Sequence, residues 1–145
     1  MQKPIRQRRH RGFTLIEILV VLVILGLLAG LVGPRLFGKV DSSKVKTAGT
    51  QVKMLKTALQ TFRLDIGRYP STEEGLTVLS TRPQGGELAA WAGPYLEEAL
   101  PVDPWGNPYV YRNEPAGEQE FTLYSLGADG QPGGEGIAAD IGYLP

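Results

Sequence analysis

Between Phe13 and Gly33 the chain runs for 21 residues with a single charged side chain, Glu17. No other feature restricts the fold as strongly. A helix needs about 20 apolar residues to cross the hydrocarbon core of a bilayer, and this run supplies them. Being apolar on every side, it needs lipid or many neighbouring helices around it. A charge near the centre of such a helix costs at least about 2.5 kcal/mol on insertion scales, so Glu17 is a functional residue by default.

The flanks orient the segment. Residues 1–12 carry Lys3, Arg6, Arg8, Arg9 and Arg11 and no acid. A secretory signal has an apolar core of about 7–15 residues ending at a small-residue cleavage site. This run is longer, and residues 27–33 offer no A-x-A pattern. The basic side stays cytoplasmic by the positive-inside rule, which puts everything after Pro34 across the membrane. The chain reads as a single-pass protein with its bulk outside the cytoplasm.

The net charge of zero hides three blocks. After the basic leader, eight basic residues from Arg35 to Arg68 face Asp41 and Asp65. Beyond Pro70, Arg82 and Arg112 stand against twelve acids. Such asymmetry favours pairing of a basic segment with an acidic one between molecules and argues against a nucleic-acid-binding domain, although solvated charge explains much of it too. Cysteine is absent, and the one histidine, His10, lies in the leader. No Ser-His-Asp, zinc or phosphate-loop constellation can be assembled, and the Glu97-Glu98 pair reads as solvated surface, so the chain does not read as an enzyme.

After Pro34 the pattern becomes amphipathic. Val45, Ala48, Val52, Leu55, Leu59, Phe62 and Ile66 recur at alternating steps of three and four, one apolar stripe of a helix. Gly67 and Pro70 end it near Asp65 or Ile66. Pro34, with Gly30, Gly33 and Gly38 nearby, is the expected place for a kink or local melting. Ser71-Thr72-Glu73-Glu74 has the form of a capping box opening a short helix through Leu79. Residues 109–112 and 121–124 alternate like strands about a Pro115-Ala116-Gly117 turn, which predicts an antiparallel hairpin. Residues 127–136 hold five glycines and are loop.

Two places could carry chemistry. Gly12 offers a protease unhindered backbone beside Phe13, and cutting there would remove the leader charges and expose an amine on Phe13. That amine could pair with Glu17 of the same or a neighbouring chain, a contact about 4 Å long being worth several kcal/mol where the dielectric is low. Equally, Glu17 could simply complement the helix dipole in the first turn. The glycine-rich tail is the second place. Asp129, Glu135 and Asp140 supply hard oxygen donors of the kind calcium takes. The spacing misses the EF-hand pattern at Gln131 and Gly133, and from the residues alone a solvated acidic loop is the stronger reading. Asp103-Pro104-Trp105-Gly106-Asn107-Pro108 reads as a structural turn with Trp105 as its apolar anchor. A sugar platform of Trp105, Tyr109 and Tyr111 is the weaker alternative.

The stretch Gly12-Phe13-Thr14-Leu15-Ile16-Glu17 closely resembles the class III signal of type IV pilins and type II secretion pseudopilins. Tyr69-Pro70-Ser71-Thr72-Glu73-Glu74-Gly75-Leu76, Gly93-Pro94-Tyr95-Leu96, the block from Asp103 to Tyr109 and Ser125-Leu126-Gly127-Ala128-Asp129-Gly130 resemble the major pseudopilins in particular. The resemblance implies an α+β, type IV pilin-like fold: a long N-terminal helix, its first half transmembrane, packed on a small antiparallel sheet with a Gly-rich C-terminal loop. It divides the chain into a leader (1–12), a transmembrane and filament-core helix (13–34) and a periplasmic domain (35–145), anchored in a bacterial inner membrane. It implies cleavage between Gly12 and Phe13 by a prepilin peptidase, N-methylation of Phe13, and Glu17 as the assembly residue of a helical homopolymer. Membrane lipid, the minor pseudopilins and the inner-membrane assembly platform are the further partners implied. It also implies a structural calcium held by Leu126, Asp129, Gln131, Ala138 and Asp140. Gly136 stands where some members place a second carboxylate, which leaves Glu135 or Asp140 to supply it. Rival readings are a type IV pilin, against which the missing cysteines speak, and a monomeric membrane-anchored binding domain.

Overall fold

A computed structural model describes residues 12–86 and 88–145; the leader, apart from Gly12, lies outside the described residues. One helix, α1 (Leu15–Ile66), is followed by a 3-10 turn (Leu76–Leu79) and by strands β1 (Val110–Arg112), β2 (Thr122–Ser125) and β3 (Ile141–Tyr143). A second 3-10 turn, Gly136–Ala138, precedes β3. The chain divides into two units, one up to Lys39 and one from Val40 to Pro145.

In the first unit no side chain between Phe13 and Val32 is buried. Helical backbone continues through Pro34, which answers a point the sequence leaves open: the helix does not melt there. The Pro ring removes one helical donor, and the residues around it keep helical geometry nonetheless.

The second unit holds the core. Ala48, Val52, Leu55, Leu59 and Phe62, the centre of the apolar stripe, are buried, with Ala58 beside them. All but Ala48 join one cluster with Leu76, Val78 and Leu79 of the first 3-10 turn, Leu88, Leu96, and Tyr109, Tyr111, Phe121 and Leu123 in and beside the hairpin. Each large aliphatic side chain so buried contributes about 1.5–3 kcal/mol. Tyr109 donates its hydroxyl to Gln51 Oε1 at 2.6 Å and Tyr111 to the Pro70 carbonyl at 2.8 Å. Burial pushes both phenols well above their usual pKa. These rings are core, which removes the sugar platform.

The hairpin is antiparallel with Val110 opposite Tyr124 and Arg112 opposite Thr122. β3 adds on the far side of β2, also antiparallel, giving the order β1-β2-β3. This third strand was not expected from the sequence. It is three residues long with Gly142 at its centre, too short for an alternation to register. The short helix expected from Ser71 to Leu79 is also corrected. Its capping-box bonds exist, Ser71 N to Glu74 Oε2 at 2.6 Å and Glu74 N to Ser71 Oγ at 3.2 Å. They close a turn instead, because Gly75 at φ 59 leaves helical space before the 3-10 turn begins.

Candidate functional site

Residues 12–14 are non-helical and exposed, and α1 begins immediately after them. The Gly12–Phe13 peptide bond therefore sits on accessible backbone, where a Cβ added to Gly12 would meet nothing. Phe13 is 84% exposed.

Thr14 is the cap of α1. Its backbone N–H donates to Glu17 Oε2 at 2.7 Å and its hydroxyl to the same oxygen at 2.9 Å. In return the Glu17 N–H donates to Thr14 Oγ1 at 3.3 Å. This is a reciprocal capping box. It extends the helix-start reading of Glu17: the carboxylate satisfies a donor that the apolar surround would otherwise leave orphaned. Sequence reasoning found the S/T-x-x-E signature at Ser71 and missed the same signature at Thr14-Leu15-Ile16-Glu17.

The turn from Asp103 to Asn107 is anchored by its carboxylate. Asp103 is 2% exposed. Its Oδ1 accepts the N–H groups of Trp105 and Asn107 at 3.0 and 2.8 Å, and its Oδ2 accepts the Ser125 hydroxyl at 2.6 Å. Ser125 Oγ in turn accepts the Gly127 N–H at 3.1 Å, and Asn107 Nδ2 donates to the Gly127 carbonyl at 3.3 Å. Trp105, expected as the anchor, is half-buried and lies outside the core cluster. The network instead fixes the start of the glycine-rich loop.

That loop folds back on itself through its backbone. Ala128 N–H donates to the Ile137 carbonyl at 2.9 Å, Asp140 N–H to the Gly133 carbonyl at 3.2 Å, and Gly133 N–H to Asp140 Oδ2 at 2.9 Å. Gly127 and Gly134 pass so close to the Ala138 carbonyl that a Cβ on either would run into it. Leu126, Ala138 and Asp140 are half-buried, whereas Asp129 and Gln131 are exposed. Asp129 Oδ1 accepts the Gln131 N–H at 3.0 Å. Among the described residues no three acidic or histidine side chains gather as a metal cluster. Among the described residues two side-chain oxygens, Thr122 Oγ1 and Asp140 Oδ1, are buried with no hydrogen-bond partner, and Asp140 Oδ1 is the one in this loop. A buried carboxylate oxygen without a partner carries a penalty of several kcal/mol unless a cation meets it. An oxygen of this kind is a donor that a hard, oxygen-binding ion would take.

Residues 35–144 match the family described as Type II secretion system (T2SS), protein G, and residues 7–33 match the prokaryotic N-terminal methylation motif. The chain is 47% identical over 138 residues to the type II secretion system core protein G of Pseudomonas aeruginosa, covering 94% of this chain and 96% of that one. It is 44% identical over 138 residues to the protein of the same name from Vibrio cholerae, covering 94% and 93%. Its fold matches the crystal structure of the major pseudopilin from the type 2 secretion system of enterohaemorrhagic Escherichia coli. There the TM-score is 0.55 at 31% identity, over 74% of this chain and 92% of that one.

Proposed function

The chain belongs to the type II secretion system protein G family, and from that premise we propose that it is the repeating subunit of a pseudopilus that drives folded proteins across the outer membrane. The observation that carries this reading is the exposed apolar half of α1, which has neighbours to find and a methylation motif overlapping it. Leader removal by a prepilin peptidase would free Phe13 for N-methylation, and the apolar helices would then gather as the filament core. Glu17 would leave its Thr14 cap, or share it, to meet the amine of an adjacent copy and set axial register. The subunit anchors in the inner membrane with its C-terminal unit periplasmic, and its role is structural and not enzymatic. Minor pseudopilins and the assembly platform are its further partners.

We also propose that the C-terminal loop holds a structural calcium. Asp140 and the Ala138 carbonyl would hold it, with Leu126, Asp129 and Gln131 completing the set. Asp140 is the second acidic ligand in this reading, since its Oδ1 is a buried carboxylate oxygen without a hydrogen-bond partner. The ion would supply charge neutralisation there and cross-link the loop.

The test of the filament reading is mass spectrometry of membrane-extracted protein together with filament yield. A mature chain starting at N-methylated Phe13 is expected, with Glu17→Ala and Glu17→Val inserting normally yet assembling poorly. A mature chain that retains Arg8 and Arg9, or no filaments from the parent chain, would overturn it; full filament yield from both variants would mean that Glu17 only caps its own helix.

A further inference from the structure

The outward side of α1 in the C-terminal unit is sorted in a way the core does not require. Thr47, Thr50, Met54, Thr57, Thr61 and Leu64 recur at alternating steps of three and four, so they share one face. All six are exposed and none is charged. Thr50, Thr57 and Thr61 donate their hydroxyls to the carbonyls of Lys46, Lys53 and Thr57, at 3.0, 3.1 and 3.1 Å. Their hydrogens are thus used on the helix itself, in the back-bonding typical of threonine. An exposed stripe of a helix is ordinarily charged. Threonine is also a weak helix former, up to about 0.7 kcal/mol worse than alanine per residue. As mere solvent cover, four threonines on one face are a poor choice.

The two flanks of this face differ in sign. On one side lies a groove of about 620 Å³ between Met54, Thr57 and Thr61 and the segment 95–101, with Glu97 and Glu98 in its lining. On the other side stand Lys46 and Lys53, both exposed, as Glu97 and Glu98 are. Among the described residues the ion pairs are Arg63–Glu120 and Arg68–Glu74, and none of these four charges takes part in one. A helical homopolymer is built from a heterologous contact, which needs two different patches that complement each other on every copy. α1 and the 95–101 segment together carry two such patches.

We propose that the Thr47–Leu64 face and its acid-lined groove receive the basic flank of α1, Lys46 and Lys53, from a second copy of this chain. The lysine stems lie along the threonine methyls and Met54 while their ammonium groups reach Glu97 and Glu98. The contact repeats from copy to copy and fixes how neighbouring periplasmic units are staggered. The inference rests on the homopolymer reading above.

The experiment is a charge swap in the full chain, produced with its secretion machinery and read as sheared filament yield. Glu97→Lys with Glu98→Lys, and separately Lys46→Glu with Lys53→Glu, should each lower the yield about tenfold through like-charge contact. Combining all four substitutions should restore it. Circular dichroism of each variant should match the parent, since all four side chains are exposed. The chain has no cysteine, so co-producing differently tagged Lys53→Cys and Glu98→Cys chains gives a second readout. Disulfide dimers carrying both tags should appear in filaments, and neither variant alone should form them. Undiminished yield from both pairs, or loss that the fourfold variant does not rescue, would overturn the proposal. A parent chain that forms no filaments would overturn the homopolymer reading instead, which keeps the two failures apart.

Discussion

Replacing Asp103 by alanine removes a buried carboxylate that accepts three hydrogen bonds, from the N–H groups of Trp105 and Asn107 and from the Ser125 hydroxyl. Bonds to a charged acceptor are worth about 1.5–3 kcal/mol each, and a buried donor left without a partner costs about 1–3 kcal/mol. The two N–H groups are only part-buried, so water replaces some of what they lose. The Ser125 hydroxyl is fully buried and does not have that recourse. The expected loss is therefore about 2–4 kcal/mol, well below the sum of the three bonds. In the unit from Val40 to Pro145, which contains the whole core, this lowers the melting temperature by roughly 10–20 °C. Asp103→Asn keeps one oxygen on the N–H groups and forfeits the charge, so it should fall about midway. Thermal and urea unfolding of a soluble chain beginning at Val40 measures both. An Asp103→Ala variant within about 1 kcal/mol of the parent would refute the claim that this carboxylate anchors the turn.

Further consequences can be measured on the same soluble chain. Glu74 is held at a pKa of about 2, chiefly by its hydrogen bond to Arg68 and further by the Ser71 N–H. Its contribution is therefore complete above its ordinary value near 4.5 and is lost as pH falls toward about 2; Glu74→Gln should be about 1–2 kcal/mol less stable at pH 7, discounted for the exposure of Arg68, and equal to the parent at the acid end. Gly142→Ala drives a Cβ into the Leu123 carbonyl at a φ of 141°, so β3 should detach at a cost of about 2–3 kcal/mol, visible as faster hydrogen exchange at Tyr143. Calcium should raise the melting temperature, since binding contributes about 2.7 kcal/mol at a hundredfold excess over Kd; chelator and Asp140→Asn should each abolish that rise, and Glu118→Gln should not. Equal melting temperatures with calcium and chelator would mean that the loop orders without metal.

What the sequence reveals follows from how far each signal extends along the chain. The α1 stripe is legible because seven positions repeat one spacing, and the core duly gathers on its centre from Ala48 to Phe62. The hairpin is legible because two alternating segments flank a Pro-Gly turn. β3 is not, because its pairing is decided by β2 and its own three residues carry almost no pattern. The capping box from Ser71 to Glu74 is visible, but Gly75, the next residue, redirects the chain, and that local override outweighs the expected helix. In the Asp103 turn the sequence points to the largest side chain, Trp105, as anchor, whereas the small buried carboxylate holds it. The partnerless oxygen of Asp140 is a product of tertiary burial and has no sequence signature.

The central claim is that the apolar half of α1, bare in the single chain, becomes the core of a homopolymer. A cryo-electron microscopy map of filaments assembled from this chain tests it most directly. The account predicts that Phe13 to Val32 is enclosed by the same segment of neighbouring copies, with Glu17 beside an adjacent chain's N-terminal amine. A map in which that segment lines the filament surface, with the copies joined only through their C-terminal units, would contradict it.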